Sequence, residues 1–235
     1  MELPELTFKL LDDPANETHY CIAWAERLLE SGCDNLRVAQ LAICGLESAP
    51  DEQEVARLFH RCVKELNLEL LDDWNKALIG YLSSMCKNLL RGDMEPPILL
   101  CEILILANEL DHPYILWPWI NLAADIGFKS DSIVVCAEAS DLNSSLDITK
   151  PSECIFKMAA QFVSLSTIEL PPSFPEVWWC QNCGIMSEHS EPIDRMKKDC
   201  HVCHSAQTMK DMRYFFNREA FIKVAQSLNA HSIQQ

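Results

Sequence analysis

The sequence predicts a mainly α-helical protein, a multi-helix bundle or irregular helical stack with a small C-terminal β-module and a final short helix. Three observations predict this. Between residues 14 and 165 of the 235-residue chain, apolar side chains recur mostly at helical spacing. Glycine is scarce, at six residues, so long runs stay helical between breaks. Near the C-terminus the helical period gives way to a β-type apolar segment and two pairs of cysteines.

Residues 1–13 read as a loose lead-in. Pro14 suits the first turn of a helix over residues 14–30, where Tyr20, Trp24 and Leu28 fall at i, i+4 and i+8. Gly32 ends it. Asp34 is the expected N-cap of a short helix running to Cys44, with Leu36, Ala39, Leu41 and Ile43 apolar and Gly45 at its end. The run Ser48-Ala49-Pro50-Asp51-Glu52 opens another helix. Its Val55, Leu58, Phe59, Cys62, Val63 and Leu66 form one amphipathic stripe. The next helix carries Trp74, Ala77, Leu78, Tyr81, Leu82, Met85 and Leu89 on one face. Asp72 and Asp73 suit the positive end of its dipole, and Arg91-Gly92-Asp93 closes it.

Pro96-Pro97 opens a helix that is apolar nearly all round through Leu106, the pattern of a central helix covered on every side. Glu102 is expected on a thin exposed stripe rather than as a buried functional carboxylate. His112-Pro113 breaks the chain. Trp117-Pro118-Trp119 then forms an aromatic cluster at an interrupted helix, read as core, with a binding surface as the alternative. Residues 133–139 fit strand or helix, residues 140–151 a polar turn region, and residues 153–165 a last helix of the body. That helix places Ile155, Met158, Ala159, Phe162 and Val163 on its apolar face. Pro171, Pro172 and Pro175 stiffen a connector. The expected organisation is an acidic helical domain over 1–169, a connector at 170–175, a β-module at 176–216, and a C-terminal helix and tail at 217–235. Asn217 would cap that helix, with Phe221, Val224, Ala225 and Leu228 on one face. No fixed repeat period holds along the chain.

The chemistry concentrates in Cys180, Cys183, Cys200 and Cys203, spaced C-x2-C-x16-C-x2-C. Each tight C-x-x-C turn lets two thiolates converge on one side of a metal. Two such turns supply a closed tetrahedral four-sulfur shell, which suits one structural Zn²⁺. Val177-Trp178-Trp179 runs into the first pair as a strand. Gly184 allows the positive φ that closes a metal knuckle. Ile185-Met186 leave as a second strand, and residues 207–216 make a third that ends in Tyr214-Phe215-Phe216. Residues 176–216 therefore resemble a zinc ribbon, a small β-module found in many unrelated proteins. The resemblance carries over only the four cysteine ligands. The helical remainder resembles no family.

Rival readings of the cysteines are weaker. Cys200-His201-Val202-Cys203-His204 also matches the C-x-x-C-H of c-type haem attachment, but that leaves Cys180 and Cys183 without a role and requires an exported chain. A redox disulfide belongs in a βαβ setting, which this pattern lacks. A mixed set with His201 or His204 replacing a cysteine is compatible with zinc and unnecessary beside four well-spaced thiolates. His189 reads as a solvated loop residue. A catalytic zinc keeps a position open for water, and four cysteines leave none, so the site reads as a staple for a segment too small to have its own core.

Net charge is −16 and unevenly placed. Residues 176–235 hold seven basic and seven acidic side chains. Residues 1–175 hold 12 basic and 28 acidic, which accounts for the whole excess. Such a surface repels nucleic-acid phosphates and anionic membranes and favours a basic protein partner; plain solubility is the simpler role for it. Eight further cysteines are scattered singly: Cys21, Cys33, Cys44, Cys62, Cys86, Cys101, Cys136 and Cys154. They read as reduced, small hydrophobes. The acidic N-terminus has no basic region followed by an apolar run, and the longest apolar run, 98–107, is too short to span a bilayer. A cytoplasmic protein without membrane association is expected.

No Gly-rich phosphate loop, H-E-x-x-H or G-x-S-x-G occurs, and the seven histidines are dispersed, so the sequence leans away from an enzyme. It points to a non-catalytic protein-interaction module with a structural zinc ribbon, which engages or neutralises a basic partner. Nucleic-acid binding through the ribbon ranks second. Lys197, Lys198, Lys210 and Arg213 would meet phosphate, and Trp178, Trp179 or Phe215 would stack on bases. An enzyme with a cleft in the helical body ranks third, with no residue set to name.

Overall fold

The computed structural model describes residues 2–128, 147, 149–168, 170, 174, 176–180, 182–183, 185–188, 199–200, 202–206 and 209–213. Eight α-helices and three short strands occur among them, so the protein is mainly helical, as expected. The expectations for residues 133–139, Cys136, Gly184, His189, Lys197, Lys198, His201 and the final helix from Asn217 lie outside the described residues. The chain divides into two compact units, residues 1–84 and 85–235.

The first unit begins with α1 (Leu3–Asp12), which corrects the expected loose lead-in. Pro4 stands in its first turn, where a missing N–H costs nothing. Leu6, Thr7 and Phe8 are buried. A helix this short is marginal alone, so its apolar spacing is decisive only once it has a core to pack on. A 3₁₀ turn (Pro14–Asn16) precedes α2 (Glu17–Glu30), so Pro14 initiates the turn rather than the helix itself. Asp13 anchors this join, accepting from Asn16 Nδ2 at 2.8 Å and Tyr20 Oη at 2.7 Å. Gly32, at φ 91°, lets the chain leave α2.

Helix α3 (Leu36–Ile43) is capped by Asn35 rather than Asp34. The Asn35 side-chain oxygen accepts from Arg37 N at 2.8 Å and Val38 N at 3.2 Å, the second and third amides of the helix. A 3₁₀ turn (Cys44–Leu46) ends it. Asp51 caps α4 (Glu52–Glu65) in the same way, within the run 48–52 expected to open this helix. The core of this unit is built from α1, α2, α3 and α4. Trp24 meets Phe59 edge-on, with ring centroids 5.6 Å apart, among Leu6, Cys21, Val38, Leu41, Leu58 and Cys62. Helix α5 (Trp74–Arg91) starts on Asp73, which accepts from Lys76 N at 2.8 Å. Phe8 stacks on Tyr81 at 5.6 Å, and Trp74 Nε1 donates to Asp12 at 3.0 Å.

In the second unit α5 ends at Gly92 (φ 84°). Helix α6 (Pro96–Glu109) packs against α7 (Trp117–Asp125) and α8 (Pro151–Leu165). It buries Leu99, Leu100, Ile103, Leu104, Leu106 and Ala107 but leaves Ile98 and Ile105 exposed, so it is covered on one broad face rather than all round. Glu102 is exposed, as expected. Asp111 and His112 both take positive φ, 55° and 59°, and turn the chain before Pro113. The aromatic cluster splits. Trp119 is buried, 6.0 Å from the Phe162 ring, whereas Trp117 is exposed, its Nε1 donating to His112 O at 3.0 Å and its ring 5.2 Å from Tyr114. Two positions on a helix are about 200° apart, so one face cannot bury both. Among the described residues no helix is long and apolar enough to cross a membrane.

Candidate metal centre

Three strands adjoin the cysteines: β1 (Glu176–Cys180), which ends on Cys180, β2 (Met186–Glu188) and β3 (Met209–Arg213). They form one sheet in the order β2-β1-β3, and both pairings are antiparallel. β1 is central, with Trp178 opposite Ser187 on one side and Asp211 on the other. It delivers Cys180 at its last residue, where the sheet opens into the first C-x-x-C turn.

The two turns share one backbone plan. Cys180 N donates to Ile185 O at 2.9 Å, and Cys200 N donates to Ser205 O at 3.0 Å, five residues on in each case. Amides then point at sulfur: Asn182 N at Cys180 Sγ (3.4 Å) and Cys203 N at Cys200 Sγ (3.5 Å). His204, just after the second pair, has φ 55°. It follows the second pair in sequence as Gly184 follows the first, and donates its own N–H to Cys200 O at 2.9 Å. The His204 side chain is exposed.

The four sulfurs all lie within 4.8 Å of one another, close enough to hold a metal ion. Cys180 and Cys203 are 3.7 Å apart at Sγ, as are Cys183 and Cys200. A disulfide bond is about 2.0 Å long, so these are free thiols gathered around a centre. Among the described residues no other group of three or more metal-ligating side chains converges. Cys180 and Cys200 are buried and Cys183 and Cys203 half-buried.

Sequence reasoning missed the polar residues that support the sulfurs. Asn182 Nδ2 reaches Cys203 Sγ at 3.4 Å and Ser205 Oγ at 2.9 Å, tying the first turn to the second. Ser205 Oγ is 3.3 Å from the same sulfur. These bonds, Asn182 first and Ser205 next, hold the Cys203 thiol down to about 5. At Cys183 the backbone bond at Ile185 favours the thiolate, but desolvation and the other three sulfurs outweigh it and push the thiol up to about 12. The Asn182 and Ser205 bonds thus draw Cys203 down while burial and the neighbouring sulfurs push Cys183 up, two opposite shifts within one sulfur cluster. The only sequence signal for these helpers is a small polar residue inside or just beyond a C-x-x-C pair.

Trp178 is 5% exposed and shares a small core with Cys180 and Cys200, flanked by Cys183, Ile185 and Cys203. No protein-family model, curated protein or solved structure matches this chain. Cys21, Cys62, Cys86 and Cys154 are buried. Desolvation first, and Glu17 next, push Cys21 up to about 12; desolvation and Glu65 push Cys62 up to about 11.

Proposed function

We propose that this chain is a non-catalytic protein-interaction module, in which Cys180, Cys183, Cys200 and Cys203 hold one structural Zn²⁺ in a zinc ribbon and the acidic helical part engages a basic partner. The observation that carries the metal assignment is the sulfur spacing. Four sulfurs at about 2.3 Å from a tetrahedral centre stand about 3.8 Å apart; two of the four cross-turn distances are 3.7 Å, and all the sulfurs lie within 4.8 Å of one another. The donor set is soft, fills four positions and leaves none for water, which favours a staple over a catalyst. Free thiols elsewhere in the chain support a reducing, cytoplasmic setting.

The partner assignment rests on charge, since all of the net −16 resides in residues 1–175. Nucleic-acid binding through the ribbon ranks behind it. Trp178, one of its stacking candidates, is buried beside the cysteines and has no face to offer a base.

Elemental analysis of protein purified without added metal tests the first half: about one zinc per chain is expected. Zinc retained undiminished in a Cys180→Ala/Cys200→Ala double variant would overturn it. Fluorescence anisotropy tests the second half. Tight RNA or DNA binding by the wild type, lost in a Lys197→Glu/Lys198→Glu variant, would replace the basic-protein reading with the nucleic-acid one.

A further inference from the structure

We propose that the exposed apolar stripe of α3 and the 3₁₀ turn after it, together with the depression beside Gly45, docks a basic amphipathic helix of a partner protein. This rests on the reading of the acidic helical part as the partner-binding part. Leu36, Ile43 and Leu46 are 68%, 58% and 84% exposed, the three most exposed large apolar side chains among the described residues. Single exposed leucines are ordinary on a protein surface. Three on one stretch of eleven residues, spaced i, i+7 and i+10, with Ala39 between, make a continuous helical stripe. The opposite face of α3 already packs into the core through Val38, Leu41 and Ala42. The helix is therefore apolar on two faces and, among the described residues, has a partner for only one.

The geometry at Gly45 supports a built surface. A Cβ there would fall 2.7 Å from Ile22 Cγ2 and 3.1 Å from Glu26 Oε1, so the turn lies directly on α2. Beside it is a depression of about 350 Å³, lined by Ile22, Ala23, Glu26, Gly45 and Pro50. Ile22, Ala23 and Pro50 give it an apolar part, Asn16, Thr18 and His19 a polar one, and Glu26 a carboxylate, which suits a lysine or arginine with its stem packed and its head paired.

Charge selects the occupant. Glu47 directly follows the turn that Glu26 touches, and Asp51 and Glu54 stand at the start of α4; after burial, all three help to push the Cys44 thiol up. Among the described residues the salt bridges engage only Glu54 of these four, through Arg57. The 1–84 unit holds seven basic and sixteen acidic side chains. A second copy of the chain would bring these carboxylates face to face, at a cost in like-charge repulsion. A helix with a leucine seam flanked by lysines meets both the stripe and its rim.

The probe is a fluorescein-labelled Leu–Lys helix, with leucine at i, i+3, i+4 and i+7 and lysine elsewhere, titrated against the full chain by anisotropy. Polylysine is the second probe. Wild type should bind the Leu–Lys helix more tightly than polylysine, with affinity falling as salt rises. Leu46→Asp and Ile43→Ser should each weaken it about tenfold or more, and Glu26→Gln about threefold. Leu71→Ser, at another exposed leucine of the same unit, should change nothing. These side chains are exposed, so the variants should keep the wild-type circular dichroism. Binding of both probes unchanged by Leu46→Asp and Ile43→Ser would overturn this surface and leave the acidic-body reading standing. Binding of neither probe would overturn both. Self-association of the wild type, abolished by Leu46→Asp, would overturn the choice of a foreign helix in favour of a second copy.

Discussion

Stripping the metal should unfold the ribbon and leave the 1–84 unit intact. Among the described residues the core of the three-stranded module holds two ordinary apolar side chains, Trp178 and Ile185, among four cysteines. Their burial contributes about 7 kcal/mol as an upper figure. A structural Zn²⁺ on four thiolates contributes about 10–16 kcal/mol near neutral pH, so the metal supplies the larger share. The 1–84 unit instead buries Trp24, Phe59, Leu41, Leu78 and Leu82 and contains none of the four clustered cysteines. Hydrogen exchange with mass spectrometry separates the two. In the metal-loaded protein the amides of Cys180, Cys200 and His204 are bonded and should be protected. After chelation, peptides covering 176–188 and 199–213 should exchange at the earliest time point, while those covering α2 and α4 keep their protection. Unchanged protection in the strands of chelated, metal-free protein would refute the reasoning, because the sheet would then stand without a metal.

Further outcomes follow from single residues. His204→Gly should relieve about 1 kcal/mol of left-handed strain at φ 55° and tighten metal binding about fivefold in competition titrations; loss of metal instead would make His204 a ligand and favour the mixed set. Phe59→Ala should cost about 3–5 kcal/mol in urea unfolding followed by Trp24 fluorescence, and a loss under about 1 kcal/mol would show that the edge-on pair is not a core contact. Buried Cys21 and Cys62 have thiols raised above the ordinary 9.0. Their contribution to stability should be complete below pH 9.0 and be lost as pH rises through about 11 for Cys62 and about 12 for Cys21. At neutral pH iodoacetamide should label half-buried Cys33 and Cys101 before either, and equal labelling in the native protein would contradict the burial.

The helices from α2 through α8 that the sequence made legible are those with long apolar stripes and a cap or proline at the start. The start at residues 48–52 before Val55, Leu58, Phe59 and Cys62 is the clearest case, and the structure keeps the start and the buried face. Helix α1 escaped because ten residues carry too few periodic positions to separate a helix from an ordered lead-in. Asn35 displaced Asp34 as a cap because two adjacent residues have equal capping chemistry, and only the backbone path decides which one meets the free amides.

By itself the sequence determined that four thiols would converge, since a C-x-x-C pair is a local turn and a sulfur's position within it is set by a few residues of backbone. It also determined that the chain is mainly helical, because helical periodicity is read within one element. Tertiary structure alone decided which apolar residues found partners. Leu36, Leu41, Ile43 and Trp117 look as hydrophobic in sequence as Trp119, yet only Leu41 and Trp119 among them are buried. It also placed Asn182 and Ser205 together across 23 residues of chain, where they bond to Cys203. Burial and long-range hydrogen bonds depend on what other elements bring to a face, and that information is spread over the whole chain rather than carried at the site.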